Sequence, residues 1–456
     1  MPKELDLDTV DYRVVLVDPV SQGVLTRDED RSFRVLRVSI PTRTRAVRQV
    51  RTELQRSWGI AVVILDFLSA GHSTSPCVVA ELLTASIPAG FRVVSAGELA
   101  SEELTEQERT HLNKVLGNDV TSPFSRIGWI DEAIAWVEGA TGQRLHSKAS
   151  VEQHSAGGAF TLLRFPMANG YTYWLKATGV PNANERALTA LLSRLCGNCL
   201  PRLVAEKSDW NAWLMLEEAC GVSDLPTEPD TLMWLLGQAV ESLAELQLKT
   251  VGLDQMLIDA GAFDQRLDVL RTDADVLFAY VTEAMSFQTS TRVPRIETSR
   301  LQEIRKLFEE ACRRAKCFEM PSTLLHGDMN LGNLVFTSGR CQFIDWCEGY
   351  VGHPFVTFQH LLLLNPIENP IVRASVDDVL KGIYRTAMRT VCDSRQMEEG
   401  LASMPLLAAA SALYGRGDWL RSDARNAPSR YAYARTIARH MDHAARELPL
   451  LEALCV

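Results

Sequence analysis

The spacing of apolar residues changes once along this chain of 456 residues, and that change limits the folds open to it. Before about Gly221, short runs rich in β-branched and aromatic residues recur, among them RVVLVD, FRVLRVSI, IAVVILDF and YTYWLKAT. Such runs are typical of strands. After Gly221 the spacing is helical, apart from one strand pair, NLVF and RCQFID, joined by Thr337-Ser338-Gly339. The sequence therefore predicts an α+β fold in which a β-rich part precedes a larger helical part.

The chain is also too long for one ordinary hydrophobic core, so we expect several domains. Residues 1–145 mix strand-like and helical runs and predict a separate α/β domain. Residues 146–219 predict a small β-rich lobe, in which two strand-like runs flank Asn169-Gly170. Asn-Gly between such runs is a strong hairpin signal. Residues 220–456 predict a helical lobe.

Composition and charge exclude several classes of protein. The formal net charge of −10 argues against a nucleic-acid binder, which usually presents a basic face. The first residues, MPKELDLDTVDY, lack the apolar core of a signal peptide, and the run LLLLNP is far too short to cross a bilayer. Ten cysteines are scattered, with one C-x-x-C pair and no zinc spacing. We expect a cytoplasmic protein whose cysteines are mostly buried, reduced thiols and which contacts neither nucleic acid nor a membrane; its oligomeric state stays open.

A small polar cluster interrupts the apolar stretch LLHGDMNLGNLVF, which spans residues 324–336. Asp328 precedes Asn333 by the spacing D-x-x-x-x-N, and Asp345 lies beyond the short hairpin that follows. Phosphoryl transfer to a hydroxyl uses this set: one carboxylate accepts the hydroxyl proton, while an amide oxygen and a second carboxylate bind magnesium. The alternative is a capped turn, in which Asp and Asn side chains only satisfy backbone groups.

The motifs HGDMNLGN and FIDW, at this separation, resemble those of the aminoglycoside phosphotransferase and choline kinase family. The resemblance implies a two-lobed, protein-kinase-like fold for residues 146–456, with ATP and Mg²⁺ as cofactors. It implies Asp328 as the catalytic base and Asn333 and Asp345 as metal ligands, with His326 supporting the loop. The expected function is transfer of the γ-phosphate of ATP to a hydroxyl of a small molecule of the aminoglycoside, sugar or amino-alcohol class.

Candidates for nucleotide binding lie upstream. In YWLKA, Lys176 looks like the family's phosphate-binding lysine, and Glu185 in the next helical run would hold it by an ion pair. The alternatives are a surface lysine with a buried stem and a glutamate that complements a helix dipole.

A glycine pair and the linker between the lobes offer further candidate nucleotide contacts. Gly157 and Gly158 would let backbone amides approach phosphates, although Gly-Gly is also an ordinary turn. Glu218 and Ala219 stand where the family's linker binds adenine through its backbone.

The stretch AVRQVRTELQRSWGI, residues 46–60, resembles a degenerate Nudix helix: Glu53, Leu54 and Gly59 fit the pattern. Arg56 and Ser57 stand where active members carry paired glutamates, so metal-assisted hydrolysis lacks its carboxylates. The alternative is an ordinary amphipathic helix that ends at a glycine. In either case we expect residues 1–145 to bind a ligand or to regulate.

Two departures from the kinase-family pattern concern the helical lobe. Gln247 replaces a histidine that many relatives carry, and Thr357 replaces an aspartate.

Glu348 would make the acceptor site acidic and favour a cationic acceptor if it lines that site; otherwise it is a solvated loop residue.

Two other functions remain open. One is a catalytically silent nucleotide-binding scaffold. The other is a Nudix-type hydrolase with a kinase-like appendage.

Overall fold

The computed structural model describes residues 9–27, 32–42, 45–68, 75–84, 86–218 and 224–454. The chain divides into two compact units. Unit 1 consists of Met1–Arg186 and Arg202–Glu217, and unit 2 of Ala187–Pro201 and Glu218–Val456. The predicted α+β class is confirmed, because the strands concentrate in unit 1 and the helices in unit 2.

The front segment, as we call the described residues before 146, folds around a mixed sheet. Its elements are β1 Thr9–Val17, β2 Val24–Arg27, β3 Leu36–Pro41, α1 Ala46–Trp58, β4 Val62–Leu68, β5 Cys77–Leu82, β6 Phe91–Val94, α2 Glu106–Leu116 and α3 Trp129–Thr141. The sheet order is β4-β5-β1-β2-β6, and β3 also pairs with β1. The β1–β5 pair is parallel and the other pairs are antiparallel.

The rest of unit 1, the β-lobe, contains a five-stranded antiparallel sheet. Its elements are β7 Glu152–Ser155, β8 Phe160–Pro166, β9 Thr172–Thr178, the start of α4 Glu185–Leu195, β10 Leu203–Lys207 and β11 Ala212–Leu216. The sheet order is β10-β11-β9-β8-β7. Asn169-Gly170 turns the chain between β8 and β9, as its sequence predicts, and Gly170 has the positive φ of 87° that this turn requires.

Unit 2 is mostly helical. Its further elements are α5 Pro229–Thr250, α6 Asp254–Asp259, β12 Phe263–Gln265, α7 Leu267–Thr272, α8 Ala274–Ser286, α9 Thr298–Cys317, β13 Thr323–His326, β14 Leu334–Thr337, β15 Arg340–Phe343, β16 Gly349–Gly352, α10 Phe355–Leu362, α11 Pro370–Met388, α12 Ser394–Tyr414, α13 Pro428–Ala444 and α14 Leu448–Leu454. The central strand β16 pairs with β12 and β13, while β14 and β15 form a separate hairpin. Of the helices in the described ranges, none is both long and apolar enough to cross a membrane.

The front segment and the β-lobe share one hydrophobic core. Phe124 and Trp129 of the front segment lie in the same buried cluster as Phe165 and Trp210 of the β-lobe. The ring centroids of Phe124 and Trp210 are 5.6 Å apart in an edge-on arrangement. The boundary at residue 145 stays a prediction, but a core of this kind makes the two parts depend on each other.

Hydrogen bonds reinforce this junction. The side-chain amide of Gln153 donates to the carbonyl of Ile64 and accepts from its N–H, both at 2.8 Å, as a neighbouring strand would. Arg51 of α1 donates to the carbonyl oxygens of Val62 and Val151, each at 2.8 Å. Buried backbone groups rarely lack hydrogen-bond partners. Here the side chains of Gln153 and Arg51 bond to backbone groups of β4 and of the residue before β7.

We predict that a shortened chain starting at Ser147 will not give a folded β-lobe. Fully burying one large apolar side chain stabilises by about 1.5–3 kcal/mol, and exposing several would exceed a typical stability of about 5–15 kcal/mol. Near-ultraviolet circular dichroism and thermal melting of the shortened and full chains would test this. A cooperative melt with native tertiary signal from the shortened chain would contradict it.

Candidate active site

The loop that carries Asp328 begins where β13 ends, and its first residue is fixed by a neighbouring ring. A methyl group at Gly327 would come within 2.0 Å of Cε2 of Tyr350, so a larger residue does not fit. Before it, His326 is buried, and its Nε2 lies 2.9 Å from the carbonyl oxygen of Ile344. The N–H of His326 donates to Oγ1 of Thr357 at 2.9 Å. The loop is thus attached to the residue after β15 and to α10.

Two asparagines hold Asp328, whose side chain is exposed. Nδ2 of Asn333 donates to the backbone oxygen of Asp328 at 2.8 Å and to its Oδ2 at 3.2 Å. Nδ2 of Asn330 donates to Oδ1 of Asp328 at 2.9 Å. Both carboxylate oxygens therefore accept a hydrogen bond, so the orientation of the carboxylate is fixed.

The orientation of the Asn333 amide leaves its side-chain oxygen able to accept a bond from another group. Because the nitrogen donates to Asp328, the acceptor atom Oδ1 points elsewhere, and no donor in the described ranges bonds to it. Asn333 is buried, so this oxygen is held in place. An amide oxygen is one of the hard ligands that Mg²⁺ accepts.

Asp345 has an unusual backbone conformation. Its φ of 67° and ψ of 63° lie in the left-handed region, which Asp tolerates better than most residues but which is uncommon outside glycine. The residue before it, Ile344, donates its N–H to the backbone oxygen of Asn333 at 3.1 Å. The hydrogen bond holds Ile344 against the loop that carries Asp328, and Asp345 is the next residue along the chain.

A third carboxylate lies close to the first two. Burial raises the pKa of Glu348, and the negative charges of Asp328 and Asp345 raise it further, while Arg416 opposes them. The N–H of Gly327 donates to the backbone oxygen of Glu348 at 2.8 Å. Glu348 is half-buried, so the alternative of a fully solvated loop residue is not what the structure has.

The two departures from the family pattern have structural roles. Gln247 is fully buried; its Nε2 donates to the carbonyl of Pro354 and its Oε1 accepts from the hydroxyl of Tyr384, both at 2.7 Å. Thr357 accepts from the His326 backbone, as described above. Thr357 thus joins α10 to the strand that precedes Asp328, whereas Gln247 joins α5 to α11 and to the residue before α10.

In unit 1, Lys176 and Glu185 form a buried ion pair. Nζ of Lys176 is 2.5 Å from Oε1 of Glu185, and the side chains are 6% and 1% exposed. This excludes the alternative of a surface lysine. The ammonium also lies over two aromatic rings, 5.0 Å from the centroid of Phe160 and 5.7 Å from that of Trp213.

The sequence did not indicate these two rings. Trp213 is directly opposite Lys176 in the β11–β9 pair, and Phe160 begins β8. Strand register decides which side chains meet, and it cannot be derived from the spacing of residues within one strand.

Gly157 and Gly158 form the turn between β7 and β8; we call residues 156–159 the glycine turn. Gly157 has a φ of 105°, which L side chains rarely adopt. Within the described chain, the N–H groups of both glycines donate no hydrogen bond. Phe160, whose ring contacts the Lys176 ammonium, directly follows the turn.

The linker positions are less informative. Glu218 is exposed and accepts a hydrogen bond from Nε2 of Gln342 at 3.0 Å. Ala219 lies outside the described residues.

Comparison with known proteins finds a family model that matches part of the chain. Residues 200–385 match the model of the APH family, described as the phosphotransferase enzyme family. This part of the chain is similar to that family. The match includes Asp328, Asn333 and Asp345 but not Lys176, and no curated protein sequence matches the chain. The Nudix resemblance of residues 46–60 stays a prediction.

Solved structures of phosphotransferases and kinases are also similar. The macrolide 2′-phosphotransferase of Brachybacterium faecium is 16% identical, covers 67% of this chain and 96% of its own, and has a TM-score of 0.44. The choline kinase of Cryptosporidium parvum Iowa II is 12% identical, with 72% and 99% covered and a TM-score of 0.47. At these scores neither likeness supports a functional argument.

The buried pair predicts a measurable effect on stability. Glu185→Ala leaves the Lys176 ammonium without this carboxylate, and breaking a buried pair costs about 3–5 kcal/mol. Asp378→Ala is the control, because its partner Lys381 is 3.4 Å away on an exposed helix face and such pairs contribute about 0–1 kcal/mol. Urea denaturation of both variants measures the difference. Equal losses would contradict the importance of the buried pair.

Proposed function

We propose that this protein is an ATP-dependent phosphotransferase that moves the γ-phosphate to a hydroxyl of a small molecule. The observation that carries the proposal is the exposed carboxylate of Asp328, held by the amides of Asn330 and Asn333 at the end of a buried strand. A carboxylate held in place next to candidate metal ligands suits this reaction better than a turn that only caps the backbone. An enzyme that consumes ATP would act in the cytoplasm.

In this proposal Asp328 is the general base. It accepts the proton of the acceptor hydroxyl while the hydroxyl oxygen bonds to the γ-phosphorus. The bond from that phosphorus to the β–γ bridging oxygen breaks, and ADP leaves. Lys176, oriented by Glu185, would bind nucleotide phosphates as a point charge, and the N–H groups of Gly157 and Gly158 would donate to phosphate oxygens.

The residues present also fit a magnesium ion. Asn333 would offer its amide oxygen and Asp345 its carboxylate, both hard ligands of the kind that Mg²⁺ prefers. A bound ion would neutralise negative charge on the phosphate oxygens. The left-handed backbone of Asp345 supports this role, because uncommon backbone conformations tend to persist at functional sites.

The charges around Asp328 support a proposal for the acceptor class. Glu348 adds a third carboxylate beside Asp328 and Asp345, so a hydroxyl compound that also carries an ammonium group is favoured over an acidic one. Aminoglycosides and amino alcohols have this chemistry, and neutral sugars remain alternatives. Comparing acceptor KM for wild type and Glu348→Gln would distinguish these classes.

A silent scaffold is less well supported, because it needs neither a base nor metal ligands. A Nudix-type hydrolase is disfavoured by Glu53, whose carboxylate accepts from Arg56 at 2.9 Å and Ser57 at 2.6 Å within its own helix. Those bonds lower the pKa of Glu53, but they do not supply the clustered carboxylates of a metal site.

The decisive experiment is a screen of the full chain with ATP, magnesium and a panel of hydroxyl compounds. Asp328→Asn should then lower phosphoryl transfer by about two to four orders of magnitude, the usual scale of general base catalysis. Nucleotide affinity should not change. The matched control is Asp378→Asn, an exposed aspartate in the same unit. Full activity of the Asp328 variant on its acceptor would refute the assignment.

A second test concerns Asp345. Asp345→Asn keeps a residue that tolerates the left-handed backbone but removes the charge, so it should fold normally and bind ATP with a weaker dependence on magnesium. Asp345→Ala should in addition lose stability, because alanine is strained at this φ. Calorimetry with ATP, with and without magnesium, measures the first effect and thermal melting the second. An unchanged magnesium dependence would remove Asp345 from the metal site.

A further inference from the structure

The glycine turn lies directly against the front segment. A methyl group on Gly157 would be 3.6 Å from Oδ1 of Asp66, and one on Gly158 would be 3.0 Å from Cβ of Ser122. The second distance is tighter than most side-chain contacts allow. Gly157 and Gly158, the proposed phosphate-binding residues, therefore lie beside Asp66 and Ser122 of the front segment.

Asp66 is held firmly at this contact. It follows a bulge in β4, where the register of the β4–β5 pair shifts between Ile64 and Asp66. A bulge redirects the side chains that follow it. Oδ1 of Asp66 accepts from the N–H of Phe67 at 2.8 Å, and Oδ2 lies 3.2 Å from Nε2 of His111 on α2.

The helix that carries His111 is itself anchored. Glu108 of α2 is fully buried and binds Arg13 of β1 at 2.6 Å. The Glu108 carboxylate also accepts from the N–H of Thr105, closing a capping box at the start of α2. Removing either partner of such a buried ion pair strongly destabilises a protein. The pair therefore fixes α2, the helix from which His111 contacts Asp66.

Ser122 is also fixed. Its Oγ accepts from the N–H of Phe124 at 3.2 Å, and the Phe124 ring packs on Trp210 of the β-lobe. Ser122, which lies beside Gly158, is thus linked through Phe124 to the β-lobe, which also contains the glycine turn.

The opposite side of the turn is closed by β9. The N–H of Gly179 donates to the oxygen of Ala159 at 3.0 Å, and a methyl group at Gly179 would come within 2.2 Å of the oxygen of Gly158. Oγ1 of Thr161 donates to the oxygen of Gly157 at 3.0 Å. A cleft lies beside the turn.

That cleft has a volume of about 700 Å³, and Asp66, His111, Ser122 and Gly158 are among its lining residues. It is open to solvent, so general packing does not hold the turn on this side. The contacts to Asp66 and Ser122 are therefore the specific restraints on this face of the turn.

We propose that Asp66, His111 and Ser122 of the front segment are positioning residues for the glycine turn, and that the front segment thereby sets the affinity for nucleotide phosphates. This inference rests on the proposed function, in which the N–H groups of Gly157 and Gly158 bind those phosphates. The physical reason is entropic. Ordering one residue costs about 1–2 kcal/mol, and a turn that is already ordered does not incur this cost when the nucleotide binds.

The test compares Asp66→Ala with Asp119→Ala in the full chain. Asp119 lines the same cleft, but it is exposed and contacts neither glycine in the turn. Calorimetry should show that Asp66→Ala weakens Mg-ATP binding by about 5- to 30-fold, the equivalent of ordering one residue. Adenosine, which has no phosphates, should bind all variants equally well, whereas general damage to the fold would weaken both ligands. Asp66→Asn should restore part of the ATP affinity, because the amide oxygen can still accept from Phe67.

Hydrogen exchange gives a second readout that needs no nucleotide. Amides of residues 156–159 should exchange faster in Asp66→Ala than in the wild type, while those of β9 should not change. If Asp66→Ala does not fold, Ser122→Gly removes the other contact and is measured in the same way.

The two proposals fail differently. Unchanged ATP affinity and unchanged exchange in the Asp66 and Ser122 variants would overturn the inference while Lys176→Met still lost ATP binding. Unchanged ATP affinity in Lys176→Met would instead count against the proposed nucleotide site itself.

Discussion

The side-chain amide of Asn333 determines the shape of the candidate active site. The amide nitrogen donates hydrogen bonds to the backbone oxygen and to the carboxylate of Asp328. The backbone oxygen of Asn333 accepts a hydrogen bond from the N–H of Ile344, the residue before Asp345. One residue therefore ties the candidate base to the segment that carries the candidate metal ligand. A single hydrogen bond contributes only about 0.5–1.5 kcal/mol, but three from one residue fix distances that no apolar packing would specify. Replacing the Asn333 side chain would remove both bonds to Asp328 but would keep the backbone bond to Ile344.

Much of this site could be predicted from the sequence because it is local. Asp328, Asn333 and Asp345 lie within one loop and one hairpin, so their spacing along the chain nearly determines their spacing in the fold. Lys176 and Glu185 are close in sequence, at the end of a strand and the start of the next helix, and the predicted ion pair is present. The Asn169-Gly170 turn is local in the same sense, because its residues determine its geometry.

What the sequence did not indicate depends on contacts between distant residues. The Asp66 contact to Gly157, the core shared by Phe124 and Trp210, and the rings beside Lys176 all require strand register and sheet packing. Neither can be derived from periodicity within one segment. The sequence leaves two alternatives for Glu348; its partial burial excludes the fully solvated one, and its place at the acceptor site stays a prediction.

The helix that resembles a Nudix motif shows why the front segment suits a structural role. In α1 the carboxylate of Glu53 is bound by Arg56 and Ser57, and Arg51 binds two carbonyl oxygens, one of them Val151 at the entrance to β7. Burial lowers the pKa of Arg51 to about 10, although Glu152 partly offsets this effect. A buried guanidinium that satisfies backbone oxygens is costly to replace, since its loss would leave those oxygens unpaired. Arg51 of α1 thus binds the chain just before β7, and that strand leads directly into the glycine turn.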